Sequence, residues 1–138
     1  MSLFGGLNVP FVAHLGITLE SFENGASELR YTATPDHLNN HGATHGGACM
    51  TLLDVAMALA ARSVDEPGGG GVVTVEMKTT FMQPAHGPLV AIGKLLHRTG
   101  RMAFAEATVR DTEGRACAHA TGTFKYVKSR PDMPLATD

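Results

Sequence analysis

The sequence predicts an α+β fold: a curved antiparallel sheet wrapped around one long helix. Three observations lead there. Six stretches alternate polar and apolar residues as strands do, and one long apolar stretch, starting near Thr44 or His45 and running to about Val64, does not. Short turns join successive strands, which makes those pairings antiparallel. The long stretch is apolar on all its faces, so it needs cover all round. A strongly curved sheet supplies most of that cover, and a second copy would bury the remaining edge and face. The pattern therefore predicts a dimer.

In chain order, residues 1–14 are apolar but broken by Gly5, Gly6 and Pro10, and are read as a segment with a short helix over Asn8 to His14. Gly16 to Phe22 and Ala26 to Thr34 alternate around Asn24-Gly25, a strong hairpin signal, and Pro35 ends the second strand. A polar loop leads into the helix, and the glycine-rich Asp65 to Gly71 reads as a flexible turn. In Val72 to Met82 the alternation puts Val73, Val75, Met77, Thr79 and Phe81 on one side. Leu89 to His97 pairs with Arg101 to Arg110, and Arg115 to Val127 is the last strand. The organisation is thus an N-terminal segment over 1–14, one domain over 15–128 and a disordered tail over 129–138.

A chain of 138 residues suits one domain with a real core. A net charge of −2 and a pI near 6.4 point away from nucleic acid and anionic membrane surfaces. No apolar run reaches the length of a membrane span, and no signal peptide opens the chain. Cys49 and Cys117 give neither a disulfide framework nor a CxxC pair, which fits a reduced, cytoplasmic protein. The glycines at 68–71 lack the Lys-Ser/Thr that a phosphate-binding loop requires.

The chemistry concentrates in Asn39 to Arg62, NNHGATHGGACMTLLDVAMALAAR. The first amides of the helix, at Gly46 and Gly47, have no acceptor within the helix and carry the positive end of its dipole. Two glycines there either admit a ligand oxygen to the backbone or only permit close packing. Asn39 adds a side-chain donor, and such a group suits a developing oxyanion. Asp54 interrupts an otherwise chargeless run; it is either a structural acid satisfied by neighbouring hydroxyls or a functional one. Thr74, at the start of the next strand, either hydrogen-bonds a water or that carboxylate or is a plain strand former. Gly46 and Asp54 lie eight residues apart, hence about 12 Å along the axis and roughly 80° around it. A base must lie within about 3 Å, or one water, of the group it activates. A functional Asp54 would therefore serve the Gly46 of a partner chain, giving two composite sites per dimer.

Other constellations are weaker. His41 and His45 are four apart, but the loop and the missing Glu spoil a zinc-protease pattern, so no metal is expected. A Cys49/His45 nucleophile pair competes with a plain buried cysteine. Lys94, Arg98, Arg101, Lys125, Lys128 and Arg130 fall near strand ends, as scattered solvated charges or as a phosphate clamp.

Asn39-x-x-Gly42-x-x-His45-Gly46-Gly47, with Asp54 after six residues, resembles the signature of hotdog-fold acyl-CoA thioesterases of the phenylacetate-pathway (PaaI-like) branch. The resemblance continues through VVTVEMKTTFMQPA (72–85) and HRTGRMAFAEATVRDTEGRACAHATGTF (97–124). It implies that Gly46 polarises the thioester carbonyl, that Asn39 holds substrate or water, and that His45 steadies the loop. It implies that Asp54 of the other subunit is nucleophile or base, with Thr74 assisting the water. It further implies dimers paired into tetramers, and no metal or other cofactor. For substrate binding the expected residues are Gly47, Arg98 and Arg101, with Met50, Met57, Met77, Phe81 and Met82 along the pocket wall. Two alternatives stand beside hydrolysis. One is a non-catalytic acyl-CoA-binding module. The other is an enoyl-CoA hydratase, because Asp36 and His41 keep the D-x(4)-H spacing.

Overall fold

The structure is a computed structural model that describes residues 9–65 and 69–128. A short helix α1 (Pro10–Leu15) precedes β1 (Thr18–Glu23) and β2 (Ala26–Thr32). A 3₁₀ turn (Pro35–His37) leads to α2 (Gly46–Arg62), followed by β3 (Val72–Phe81), β4 (Pro88–Arg98), β5 (Met102–Arg110) and β6 (Ala116–Tyr126). The expected α+β order holds throughout. The expected tail over 129–138 lies outside the described residues, as do residues 66–68 of the expected turn. Among the described residues no helix is long and apolar enough to cross a membrane.

All six strands form one antiparallel sheet in the order β1-β2-β4-β5-β6-β3, so β1 and β3 are its edges. Asn24 and Gly25 take φ of 54° and 80°, the paired positive values of a tight hairpin turn. The inward face is paved with small residues, among them Ala91, Ala103, Ala105, Ala107, Ala118 and Ala120, all buried. This paving lets the backbone of α2 come very close. Ser27 Oγ donates to the Ala56 carbonyl at 2.6 Å, and a Cβ on Gly93, its cross-strand neighbour, would collide with both groups. Leu52, Leu53, Ala56 and Met57 of α2 are fully buried against this surface, and Val12 and Leu15 of α1 join the same core.

The sheet covers one side of α2 only. Gly47, Thr51, Asp54, Val55, Ala58 and Arg62 form a stripe at helical spacing that stays exposed or half-buried in the single chain. The C-terminal end of the helix is closed. Ser63 Oγ donates to the Ala60 carbonyl at 2.7 Å, Tyr126 OH to the Ala61 carbonyl at 2.7 Å, and Arg98 Nη1 to the Val64 carbonyl at 3.0 Å.

β3 departs from the alternation expected of it. Its pairing with β6 shifts between Thr74 and Glu76, so the strand bulges at Val75. Thr74 then faces inward opposite Phe124, and Met77 faces inward opposite Gly122. Val73 and Val75 are left 49% and 55% exposed on a free edge rather than sharing the face of Met77.

Candidate active site

The approach to α2 is built by its own backbone. The Asn39 amide donates to the Ala43 carbonyl at 2.7 Å, and Asn39 Oδ1 accepts from His41 N at 2.8 Å and Ala43 N at 3.0 Å. Gly42 closes this turn at φ 75°, a conformation that costs glycine little and other residues more. With Oδ1 committed to the loop, Asn39 keeps its Nδ2 donors without a partner among the described residues. Further along, Thr44 N donates to the Ala85 carbonyl and His45 N to the His37 carbonyl, at 2.9 and 2.8 Å. His37 is itself held by Tyr31, whose OH lies 2.7 Å from Nδ1 with the two rings stacked. No local pattern signals this Tyr31–His37 brace, since the two residues sit on different elements.

His45 is the N-cap of α2, and its Nδ1 accepts from Gly47 N at 2.8 Å. The two glycines now have separate reasons. A Cβ on Gly47 would lie 3.1 Å from His45 Nδ1 and crowd the cap, while one on Gly46 would press on the Phe81 ring at 3.3 Å. The cap corrects the expectation that both amides are open. Gly47 N is occupied, and Gly46 N is left without a partner among the described residues.

Gly46 and Asn39 line a cavity of about 420 Å³ with Phe81, Met82, Cys49 and Cys117. Phe81 and Met82 are 53% and 51% exposed, as a wall awaiting cover would be. Met57, expected on this wall, is instead buried in the core beneath Gly122, because β6 needs filling there. Met50 at 36% exposure and the half-buried Met77 lie outside the lining. Burial pushes the Cys49 thiol up to about 11, with Cys117 adding to the effect, so Cys49 is a neutral thiol and a poor nucleophile.

Asp54 lies elsewhere. It is half-buried in a second cavity of about 240 Å³ with Thr74, Val12, Ala58 and Arg62. Thr74 Oγ1 donates to Asp54 Oδ1 at 2.7 Å, a contact that the bulge at Val75 makes possible. Burial raises the Asp54 pKa above the ordinary carboxylate value, and the Thr74 hydrogen bond pulls it part of the way back. The structure therefore brings Asn39 and Gly46 together, and Asp54 and Thr74 together, in two separate cavities of one chain.

The two arginines expected to bind substrate differ. Arg98 stacks over the Tyr126 ring at 4.2 Å and caps the end of α2, so its guanidinium is already occupied. Arg101 is exposed beside the β4–β5 turn. Among the described residues no three His, Cys, Asp or Glu side chains gather as a metal site would need.

Comparison with known proteins bears on this geometry. Residues 41–118, more than half of the chain, match the family model described as the thioesterase superfamily. A Halobacterium salinarum protein described as a candidate esterase is 31% identical, over 85% of this chain and 84% of its own length. An acyl-coenzyme A thioesterase of Rattus norvegicus is 29% identical over 68% of this chain, which spans only 39% of that protein. The solved structure of the Escherichia coli PaaI protein of the phenylacetic acid degradation operon superposes with a TM-score of 0.81 at 23% identity, covering 88% of this chain and 87% of that one, a likeness of fold. One open helix amide under a six-stranded sheet, with an acid eight residues on, is thus set in a shared architecture, and the chain belongs to the thioesterase superfamily with its hotdog fold.

Proposed function

We propose that this protein hydrolyses acyl-CoA thioesters at two composite sites of a homodimer. The observation that carries this reading is the separation just described: an open oxyanion amide with its Asn39 donor in one cavity, and a raised, Thr74-held carboxylate in another. Neither half suffices alone. A two-fold pairing across the exposed stripe of α2 and the free edge of β3 sets the Asp54 half of one chain against the Gly46 half of the next. The exposed Val73 and Val75 support that edge as the contact.

The thioester carbonyl oxygen accepts from Gly46 N, where the helix dipole favours developing negative charge. Asn39 Nδ2 donates to the substrate or to the attacking water. Asp54 of the partner subunit takes the proton of that water, whose oxygen forms the new bond to the carbonyl carbon. The carbon–sulfur bond then breaks and the leaving thiolate takes up a proton. Direct attack by the carboxylate, giving an anhydride that water opens, uses the same placement. The CoA carrier is supported by the name of the rat relative and the motif resemblance.

The test is free-thiol release from a panel of acyl-CoAs by wild type and Asp54→Asn. General-base catalysis contributes about 10²–10⁴-fold, so the variant should lose at least a hundredfold. A variant that keeps most of its rate contradicts the mechanism, and acyl-CoA binding without turnover in wild type replaces it with a binding module.

A further inference from the structure

Arg62 ends α2 and lines the same cavity as Asp54 and Thr74. A cation in the last turn of a helix ordinarily answers to the carbonyls there. Here those of Ala60 and Ala61 are taken by Ser63 and Tyr126, and the Val64 carbonyl just beyond the helix by Arg98. The Arg62 guanidinium makes no hydrogen bond or ion pair among the described residues. It is half-buried, and Asp65 favours its charge only through space. A partly desolvated cation with no hydrogen-bonded partner carries a cost that an anionic ligand would relieve.

The cavity gives that ligand a shape. Between Asp54 and Arg62 its walls are aliphatic, from Val12, Val55, Ala58 and Val72. The eight residues separating the two charges span about 12 Å of helix, and a helical arginine leans back toward the N-terminus, which shortens the gap. An occupant with its reacting carbon at Asp54 thus meets an apolar passage and then a guanidinium.

We propose that this cavity receives the acyl group and that Arg62 pairs with a carboxylate at its far end. The preferred substrates are then monothioesters of dicarboxylic acids with an apolar middle. The proposal rests on the hydrolytic reading for where the thioester sits, but its test does not depend on turnover. A guanidinium meets a carboxylate through two parallel hydrogen bonds, which gives geometry as well as strength.

The experiment measures binding of adipyl-CoA against hexanoyl-CoA, and of suberyl-CoA against octanoyl-CoA, to Asp54→Asn protein by calorimetry. The same pairs are measured with Arg62→Met added, and as N-acetylcysteamine thioesters, which lack the CoA phosphates. At one chain length at least, the carboxylate-ended member should bind about tenfold tighter on either carrier, and the Arg62→Met change should collapse that ratio to within about twofold. No preference in the Arg62 protein overturns the proposal. So does an equal loss for both members on CoA carriers alone, which assigns Arg62 to the phosphates. An Arg62→Met protein that has become monomeric while its parent is dimeric also overturns it, by giving the guanidinium to the contact between the chains instead of to a ligand. The predicted preference without hydrolysis by wild type would sink the thioesterase reading and leave Arg62 as the residue that binds the ligand's carboxylate.

Discussion

At the residue scale the proposed mechanism turns on Asp54, a carboxylate that burial makes reluctant to ionise and Thr74 makes less so. For hydrolysis the ionised form works, so activity falls as pH drops through a pKa above the ordinary carboxylate value. Thr74→Val removes the hydrogen bond that favours the ionised form. The acid limb of the kcat profile should therefore move to higher pH, with kcat on the plateau falling a fewfold; an unmoved limb would show that Thr74 does not tune the acid. Stability runs the opposite way. With its folded pKa raised, Asp54 penalises the folded state at every pH above that pKa, and the penalty vanishes below the unfolded value of 3.8. Asp54→Asn should melt higher than wild type at neutral pH, and the difference should fade as the pH falls through that window. A variant that melts lower at neutral pH would mean the carboxylate is structural.

At the element scale the central fact is how closely α2 lies on the sheet. Gly93→Ala forces a methyl against the Ala56 carbonyl and Ser27 Oγ, a backbone contact that cannot swing aside. It should cost about 1–3 kcal/mol or more, read as a lower midpoint in urea at unchanged m. A neutral change would mean the helix can lift away. Much at this scale was legible in the sequence. Asn24-Gly25 marked its hairpin because both residues tolerate positive φ, and the length and apolarity of 46–62 marked the helix. The bulge was not legible, because Val73, Val75 and Met77 keep an apolar alternation straight through it. Pairing with β6, a long-range contact, decides the shift. The same holds for Arg98, whose partner Tyr126 stands on another strand, and for Met57, which β6 draws into the core. Local motifs placed Asn39, His45 and Gly46; the capture of the Gly47 amide by His45 depends on a side-chain rotation that spacing does not encode.

At the scale of the whole molecule, the stripe Gly47–Thr51–Asp54–Ala58–Arg62 and the free β3 edge are surfaces one chain leaves uncovered. The proposed dimer covers both and unites the two half-sites, so a dimeric state alone would be a weak test. Subunit complementation reads the sharing of each site between two chains. Asn39→Ala and Asp54→Asn, each inactive on its own, are unfolded together and refolded as an equal mixture. In a two-fold dimer each mixed pair holds one site made wholly of wild-type residues, so thiol release should recover to about a quarter of the wild-type rate. A mixture no more active than the mean of its two parents would place Asn39 and Asp54 in the same site of the same chain and contradict the account.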